Sequence, residues 1–262
     1  MIFYFTGTGN SRHVARRIAA RTNDRCTDMA AFLKEGGGGV ALTSGERLGL
    51  VFPVYFWGLP TVVADFTRVL SVAWPQGAGT PYIYCVATYG TSLGGVYAQL
   101  RAELRRRGLR LDAAYAVRMP DCWTPMFDVS DTEKMLRKCR RAEPRIDAVA
   151  EKVLARRRGT QLGWTRLPLA LSSLYHATYP SARRTSHFRV LAERCTGCGR
   201  CVRQCPTGAI EMRDTLPCWV KPECAACLRC LHHCPAFAIQ YGRRTARHGQ
   251  YVHPSEKDGQ RP

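Results

Sequence analysis

The cysteine pattern near the carboxyl end constrains the fold of this chain more than any other feature. The chain has 262 residues and 13 cysteines, and eight of the cysteines form two runs of the same spacing, C-x2-C-x2-C-x3-C-P. The first run begins at Cys195 and the second at Cys224, an offset of 29 residues (224 − 195) that holds for every cysteine and for both prolines. The repeat predicts a duplicated supersecondary unit that is held together by metal ligands.

Thiolates at these intervals fit an iron–sulfur cluster better than zinc, because zinc sites usually join paired C-x2-C knuckles over wider gaps. In the bacterial two-cluster pattern, the last cysteine of each run ligates the other cluster. One predicted [4Fe–4S] cluster is therefore held by Cys195, Cys198, Cys201 and Cys234, and the other by Cys224, Cys227, Cys230 and Cys205. Residues 186–242 resemble the bacterial two-[4Fe–4S] ferredoxin domain, which implies a small α+β fold.

The amino end reads as a strand that passes through a loop of glycines and hydroxyl residues into a helix. The loop consists of Thr6, Gly7, Thr8, Gly9, Asn10 and Ser11. It lacks the third glycine of the dinucleotide-binding fingerprint, where Arg12 stands, and it lacks a Walker A lysine. Backbone N–H groups and hydroxyls at a helix start suit a phosphate monoester. An ordinary β–α turn with a polar cap fits the loop alone equally well.

The rest of the first 158 residues alternates between apolar strands and helical patterns. Strands are predicted at 48–52, 82–87 and 113–119, with a short one near 25–29, and helices at 61–70, 93–107 and 131–158. Continuous apolar strands indicate a parallel sheet that is covered on both faces. We expect a five-stranded, doubly wound α/β sheet, in which ligands bind beyond the carboxyl ends of the strands. If this sheet is similar to that of flavodoxins, its strand order is 2-1-3-4-5.

Three loops follow the carboxyl ends of these strands, and together they resemble the FMN site of flavodoxins. The resemblance implies that Thr6, Thr8, Asn10 and Ser11 hold the phosphate of FMN, while Gly7 and Gly9 let the backbone approach it. The flavin ring would lie between two further loops, with a backbone group of Gly58 meeting the flavin N5. The residues of these two loops are Pro53, Tyr55, Phe56, Trp57, Gly58, Thr88, Tyr89 and Gly90.

The whole arrangement, with FPVYFWGLP and a double cysteine run, resembles the EFR1-type flavodoxin–ferredoxin fusion proteins. The resemblance implies FMN and two [4Fe–4S] clusters on one chain. The predicted units are a flavodoxin-like domain (1–158), a connecting segment with a short helix at 167–175 (159–185), the ferredoxin domain (186–242) and a basic polar tail (243–262), frayed from Tyr251 onward.

These features predict an electron-transfer protein in which the cofactors carry the chemistry. The alternative is an FMN-dependent reductase of a small molecule, in which Asp121 or Cys122 would donate a proton. A redox sensor or a nucleic-acid-binding module is a third possibility. The formal charge of +19 is compatible with solvated arginine-rich faces or with a docking surface for an acidic redox partner, and nucleic acid is not the expected ligand. Without a signal peptide or a membrane-spanning run, a cytoplasmic location is expected.

Overall fold

The computed structural model describes residues 1–77, 79–161 and 169–257, and it contains a parallel sheet of six strands. Its strands are β1 (Ile2–Tyr4), β2 (Cys26–Asp28), β4 (Arg47–Pro53), β6 (Tyr82–Tyr89), β7 (Ala113–Arg118) and β8 (Gly159–Gln161), in the spatial order β2-β1-β4-β6-β7-β8. All neighbouring pairs are parallel. The predicted flavodoxin-like α/β class is confirmed, and the first five strands follow the predicted order.

Two differences from the predicted sheet concern short strands. β8 adds a sixth strand, because residues 159–161 pair with residues 113–115 at the sheet edge instead of starting the connecting segment. A separate parallel pair, β3 (Gly39–Ala41) with β5 (Ser71–Ala73), lies outside the main sheet. Three-residue strands carry too little periodicity to be found from sequence.

Helices cover both faces of the sheet, as the continuous apolar strands require. The helices of this domain are α1 (Asn10–Thr22), α2 (Met29–Lys34), α3 (Thr61–Val69), α4 (Val96–Arg106) and α5 (Thr132–Leu154). Helices α1 and α5 pack on one face through residues such as Ile18 and Ile146, and α2, α3 and α4 pack on the other through residues such as Phe66 and Leu100. Asp131 caps α5 by accepting a hydrogen bond from the Lys134 N–H at 2.9 Å.

The cysteine-rich domain is built from two antiparallel strand pairs and short helices. Its elements are β9 (Phe188–Val190), α8 (Arg200–Gln204), β10 (Ile210–Arg213), β11 (Leu216–Trp219), α9 (Arg229–His232), β12 (Ile239–Tyr241), α10 (Thr245–His248) and α11 (Pro254–Lys257). Strand β9 pairs with β12, and β10 pairs with β11. The first pair joins the start of the domain to its end, and the second lies between the two cysteine runs.

Two short helices of the connecting segment lie between the domains, α6 (Leu169–His176) and α7 (Tyr179–Ala182). The Tyr179 hydroxyl donates to the carbonyl oxygen of Ala225 at 2.8 Å, and the His176 ring bonds the carbonyl oxygen of Phe56 at 3.1 Å. The start of the helix predicted at 167–175, and residues 258–262 of the predicted tail, lie outside the described residues. None of the helices in the described ranges has the length and apolarity needed to cross a membrane.

Residues 250–257 form an ordered part of the fold, which corrects the predicted frayed tail. Tyr251, His253 and Glu256 are all at least 94% buried. Their burial has a specific cause, because His253 contacts the loop between β1 and α1, and Tyr251 and Glu256 contact the first turn of α1. The polar composition of the tail predicts exposure to solvent and does not indicate the residues that it contacts.

Candidate cofactor sites

A cavity of about 330 Å³ opens at the carboxyl edge of the sheet, where the switch-point rule places ligands. The loops after β1, β4, β6 and β7 line it, together with Tyr175 of α6 and part of the second cysteine run. The predicted flavin-site residues on its wall are Thr6, Gly7, Thr8, Asn10, Ser11, Pro53, Tyr55, Phe56, Trp57, Thr88, Tyr89 and Gly90. The wall does not include Gly9 or Gly58. The fold therefore brings loops that are far apart in sequence to one site.

The loop after β1 turns sharply into α1 through hydrogen bonds within itself. The Gly9 N–H donates to the Thr6 hydroxyl at 2.9 Å, and Gly9 has a left-handed φ of 96°. The first bond of the helix runs from the His13 N–H to the Gly9 carbonyl oxygen, also at 2.9 Å. The amide groups of residues 10–12 therefore precede the helical ladder, at a helix start of the kind that binds anions.

The two glycines of this loop serve packing in the structure. A Cβ on Gly7 would lie 2.5 Å from the carbonyl oxygen of Cys227, and one on Gly9 would lie 2.3 Å from Cγ of Glu256. Both close approaches are to the carboxyl-terminal half of the chain. These contacts explain why glycine stands at both positions, and the expected role of Gly7 and Gly9 in letting the backbone approach a phosphate stays a prediction.

The aromatic loop after β4 is held in an unusual backbone conformation. Phe56 and Trp57 have φ values of 49° and 56°, a region that bulky residues rarely adopt and that tends to occur at functional sites. Tyr55 and Gly58 bracket the turn by exchanging two backbone hydrogen bonds, of 3.1 and 2.9 Å. Gly58 lies off the cavity wall and both of its backbone groups bond to Tyr55, and its expected contact with the flavin N5 stays a prediction.

The connecting segment closes the aromatic side of the cavity. The Trp57 and Tyr175 rings lie 4.3 Å apart, and the Phe56 ring stacks on Tyr179 at 5.3 Å. Sequence analysis predicts a helix here but no role for Tyr175 in the site, because nothing in the local pattern indicates what α6 covers. The cavity is therefore bounded by residues of both domains and of the segment between them.

Asp121 and Cys122, the candidate proton donors of the reductase hypothesis, both line the cavity. Burial raises the pKa of the Asp121 carboxyl, and burial also raises the pKa of the Cys122 thiol. The Cys122 thiol donates to the carbonyl oxygen of Pro120 at 3.2 Å and accepts from the Asn10 amide at 3.6 Å. Cys122 is thus a neutral, hydrogen-bonded part of the wall beside the phosphate-type loop.

The eight cysteines of the two runs assemble into two sets of four around two small, separate cavities. One cavity is lined by Cys195, Cys198, Cys201 and Cys234, and the other by Cys205, Cys224, Cys227 and Cys230. These sets have the crossed composition that the sequence predicts. Among the described residues, no three cysteine sulfur atoms lie within 4.8 Å of one another, whereas three ligands of one zinc ion would lie about 3.8 Å apart. The sulfur atoms of these sets are therefore spread more widely than the ligands of one zinc ion.

The two cysteine runs differ in exposure although they are copies of one unit. Thr196 and Gly197 of the first run are exposed, whereas their counterparts Ala225 and Ala226 are buried, with 1% and 2% of their surface accessible. Cys227 lies on the wall of the large cavity, and its counterpart Cys198 faces solvent. The exchange of Thr-Gly for Ala-Ala is a sequence signal that could have indicated which run faces inward.

Arg229 fastens the second run to the loop after β1. Its guanidinium donates to the carbonyl oxygen of Thr6, through Nε at 3.1 Å and also through one terminal nitrogen, and it lies 3.5 Å from the Asp28 carboxylate. The His233 ring bonds the carbonyl oxygen of Gly7 at 3.2 Å. These contacts could not be predicted, because the sequence around Arg229 does not indicate which residues the arginine contacts.

Comparison with known proteins supports the iron–sulfur domain. A family model described as a 4Fe-4S binding domain matches residues 188–211, which contain the first cysteine run. Residues 188–211 are therefore similar to a 4Fe-4S binding domain, which supports iron–sulfur cluster binding in this part of the chain. No curated protein matches the chain.

Two solved structures are similar to part of the chain. One is a provisionally described flavoprotein from Bacteroides uniformis, with 12% identity, a TM-score of 0.33, and coverage of 46% of this chain and 90% of that one. The other is the Trp repressor binding protein from Bacillus subtilis, with 12% identity, a TM-score of 0.35, and coverage of 59% and 97%. Both scores are low, and the fold assignment rests on the sheet order of the chain itself.

Proposed function

We propose that this chain is an electron-transfer protein that holds FMN in the large cavity and a [4Fe–4S] cluster at each cysteine set, as in the EFR1-type fusions it resembles. The observation that carries the proposal is the position of Cys227, which belongs to the second cysteine set and also lines the large cavity. One residue therefore borders both candidate cofactor sites.

The residues of the cavity fit FMN in size and chemistry. Its volume of about 330 Å³ lies at the lower end of the range for ligand sites, roughly 300–1,000 Å³. Hydroxyls of Thr8 and Ser11 and the amides at the start of α1 lie at one part of the wall, and the Phe56 and Trp57 rings lie at another. A phosphate tail and a flat ring system need these two kinds of surface.

A bound flavin would supply a centre that accepts two electrons and releases them singly, and the clusters would supply one-electron centres. The chain itself would position the cofactors and exclude water from the space between them. Ala226 and Leu228, both 2% exposed, line the cavity on either side of Cys227. Arg229 and Gly7 hold the two domains at this contact.

The structure favours a carrier over the reductase alternative. A cavity at the lower end of the ligand-site range leaves little room for a substrate beside the cofactor. Tyr175 and Trp57 close its aromatic side by ring contact. The reductase alternative retains one supporting observation, the buried Asp121 carboxyl on the cavity wall, whose pKa is raised by burial.

The exposed first cysteine run is the surface we propose for docking of an acidic redox partner. Arg194, Arg203 and Arg213 are exposed on or beside this run, and Cys198 is exposed among them. The carbonyl oxygen of Thr215, in the adjacent β10–β11 turn, lies 4.0 Å from the Cys195 sulfur. The arginines beside the exposed ligand loop would attract an anionic partner, and the exposed Glu193 and Asp214 next to them would oppose it.

Cytochrome c and its lysine-succinylated form provide a matched pair of acceptors of opposite charge. The reduced holoprotein should reduce the succinylated, acidic form about tenfold faster at low ionic strength, and added salt should remove the preference. Arg194→Glu with Arg203→Glu should abolish the preference, and the control Arg106→Glu, on α4, should keep it. Failure to reduce either form would contradict the carrier function, and equal rates with both would contradict the docking surface alone.

A further inference from the structure

The segment 250–257 joins the second cysteine run to the loop after β1. The Gln250 side-chain amide donates to the carbonyl oxygens of Leu231 and Cys234, at 2.6 and 2.8 Å, and the Tyr251 N–H donates to the His232 ring at 3.1 Å. These bonds fix the start of the segment on the cysteine domain. Its remaining contacts are to the other domain.

The side chain of Tyr251 reaches Asn10 in the loop after β1. Its hydroxyl donates to Asn10 Oδ1 at 2.7 Å, and it also contacts the Cys139 sulfur at 3.2 Å. Tyr251 is 6% exposed and Asn10 is 7% exposed, so this hydrogen bond is shielded from water. Burial raises the pKa of Tyr251, which keeps the hydroxyl protonated and able to donate.

The bond from Tyr251 sets the orientation of the Asn10 amide. With Oδ1 accepting from Tyr251, Nδ2 points to the carbonyl oxygen of Pro120 at 3.3 Å and the Cys122 sulfur at 3.6 Å. Asn10, Pro120 and Cys122 all line the large cavity, so the donor end of the amide is on the cavity side. The two ends of an amide have nearly the same shape, so its orientation is selected by the Tyr251 hydroxyl and the Pro120 carbonyl oxygen together, and without Tyr251 only the longer bond to Pro120 would oppose a turned amide.

The rest of the segment supports the outer side of the same loop. The His253 N–H donates to the carbonyl oxygen of Thr8 at 2.8 Å, and the Glu256 carboxylate, 4% exposed, forms an ion pair with Arg12. Glu256 also packs against Gly9, which does not line the cavity. The segment therefore contacts the side of the loop that faces away from the cavity, and the opposite side of the loop lines the cavity.

We infer that Tyr251 is a positioning residue for the flavin phosphate: it holds the donor end of the Asn10 amide toward the cavity. This inference rests on the proposed function, since it concerns FMN in that cavity. It assigns the carboxyl-terminal segment to the flavin site, although that segment follows the cysteine domain in sequence. Retention of FMN then depends on a residue that is anchored to the second cysteine run.

The substitution Tyr251→Phe removes one hydroxyl and keeps the ring. Flavin should be removed from the anaerobic full-length holoprotein, and rebinding of FMN and of riboflavin, which lacks the phosphate, should be followed by quenching of flavin fluorescence. We expect Y251F to weaken FMN binding about 3- to 10-fold, as the loss of one buried neutral hydrogen bond implies, with riboflavin affinity and iron content unchanged.

Two further variants separate positioning from general stability. Tyr82, the first residue of β6, is also buried, and its hydroxyl donates to the Arg157 carbonyl oxygen at 2.7 Å. The control Tyr82→Phe removes this hydroxyl and should leave the affinities for FMN and for riboflavin unchanged. In an Asn10→Ala background, Y251F should have no additional effect on FMN, because the group it orients is gone.

The outcomes are distinct. Equal weakening of FMN and riboflavin by Y251F, or no weakening of either, would overturn the inference while leaving the flavin site in place. A wild-type chain that binds neither flavin would overturn the proposed function itself.

Discussion

Gly7 lies where the two domains come closest, and replacing it with alanine tests that contact directly. The added Cβ would lie 2.5 Å from the Cys227 carbonyl oxygen, whereas an ordinary van der Waals contact begins at 3.4 Å, so the two backbones must separate by about 0.9 Å. The Tyr55 hydroxyl would lie 2.9 Å from the added Cβ, so it opposes a shift of the loop to that side. Overpacking of this kind costs about 1–3 kcal/mol.

Thermal unfolding of the anaerobic holoprotein measures this cost. A loss of about 1–3 kcal/mol corresponds to a fall in Tm of roughly 2–12 °C, at about 2–4 °C per kcal/mol for a unit of this size. FMN affinity should fall as well, because the loop that moves lines the flavin cavity. Gly95→Ala is the matched control, since Gly95 has a φ of −87° and nothing lies within 4 Å of its added Cβ. A Gly7→Ala variant as stable as the Gly95→Ala variant would refute the close contact between the domains.

Two further predictions concern the phosphate-type loop and the segment behind it. Thr8→Glu should weaken FMN binding about 100-fold or more, because a buried carboxylate repels a phosphate, and should spare the clusters; an unchanged ratio of flavin to iron would contradict the assignment of the loop. Burial, and then the neighbouring His13, lower the pKa of His253 to about 3, so the segment is docked with His253 neutral. The unfolded ring binds a proton below about pH 6.5, so docking should weaken as the pH falls from 6.5, by about 2 kcal/mol at pH 5, and protease cleavage of the segment should increase accordingly. Two acidic residues lie beside this ring, Glu143, which is paired with His13, and Glu256. A cleavage rate that does not change with pH would contradict this account, and so would a rate that changes equally in a His253→Phe variant.

The cysteine sets could be predicted from sequence because the intervals between the cysteines indicate the type of metal site. Four ligands at fixed intervals with a following proline leave few arrangements, and the crossed grouping of Cys205 and Cys234 matches the structure. The sheet was predictable for a related reason. The strands at 48–52 and 82–87 are continuous apolar runs, and the predicted order is that of the flavodoxin-like sheet, which the first three loops resemble.

The parts that sequence analysis missed depend on contacts between distant segments. Tyr251 and Glu256 stand in a polar stretch that reads as a tail, and they are buried only because Asn10 and Arg12 are there to pair with them. The close contact at Gly7 could not be predicted for the same reason. A glycine in a loop shows that something comes close, but the sequence cannot show that the neighbour is the backbone of Cys227.

Counting the cofactors in an anaerobic preparation tests the central claim most directly. Iron, acid-labile sulfide, zinc and flavin should be measured per chain on the same sample. Two [4Fe–4S] clusters and one flavin require eight irons, eight sulfides and one FMN per chain, with no zinc. A preparation that contains zinc in place of iron, or clusters without flavin, would contradict the account.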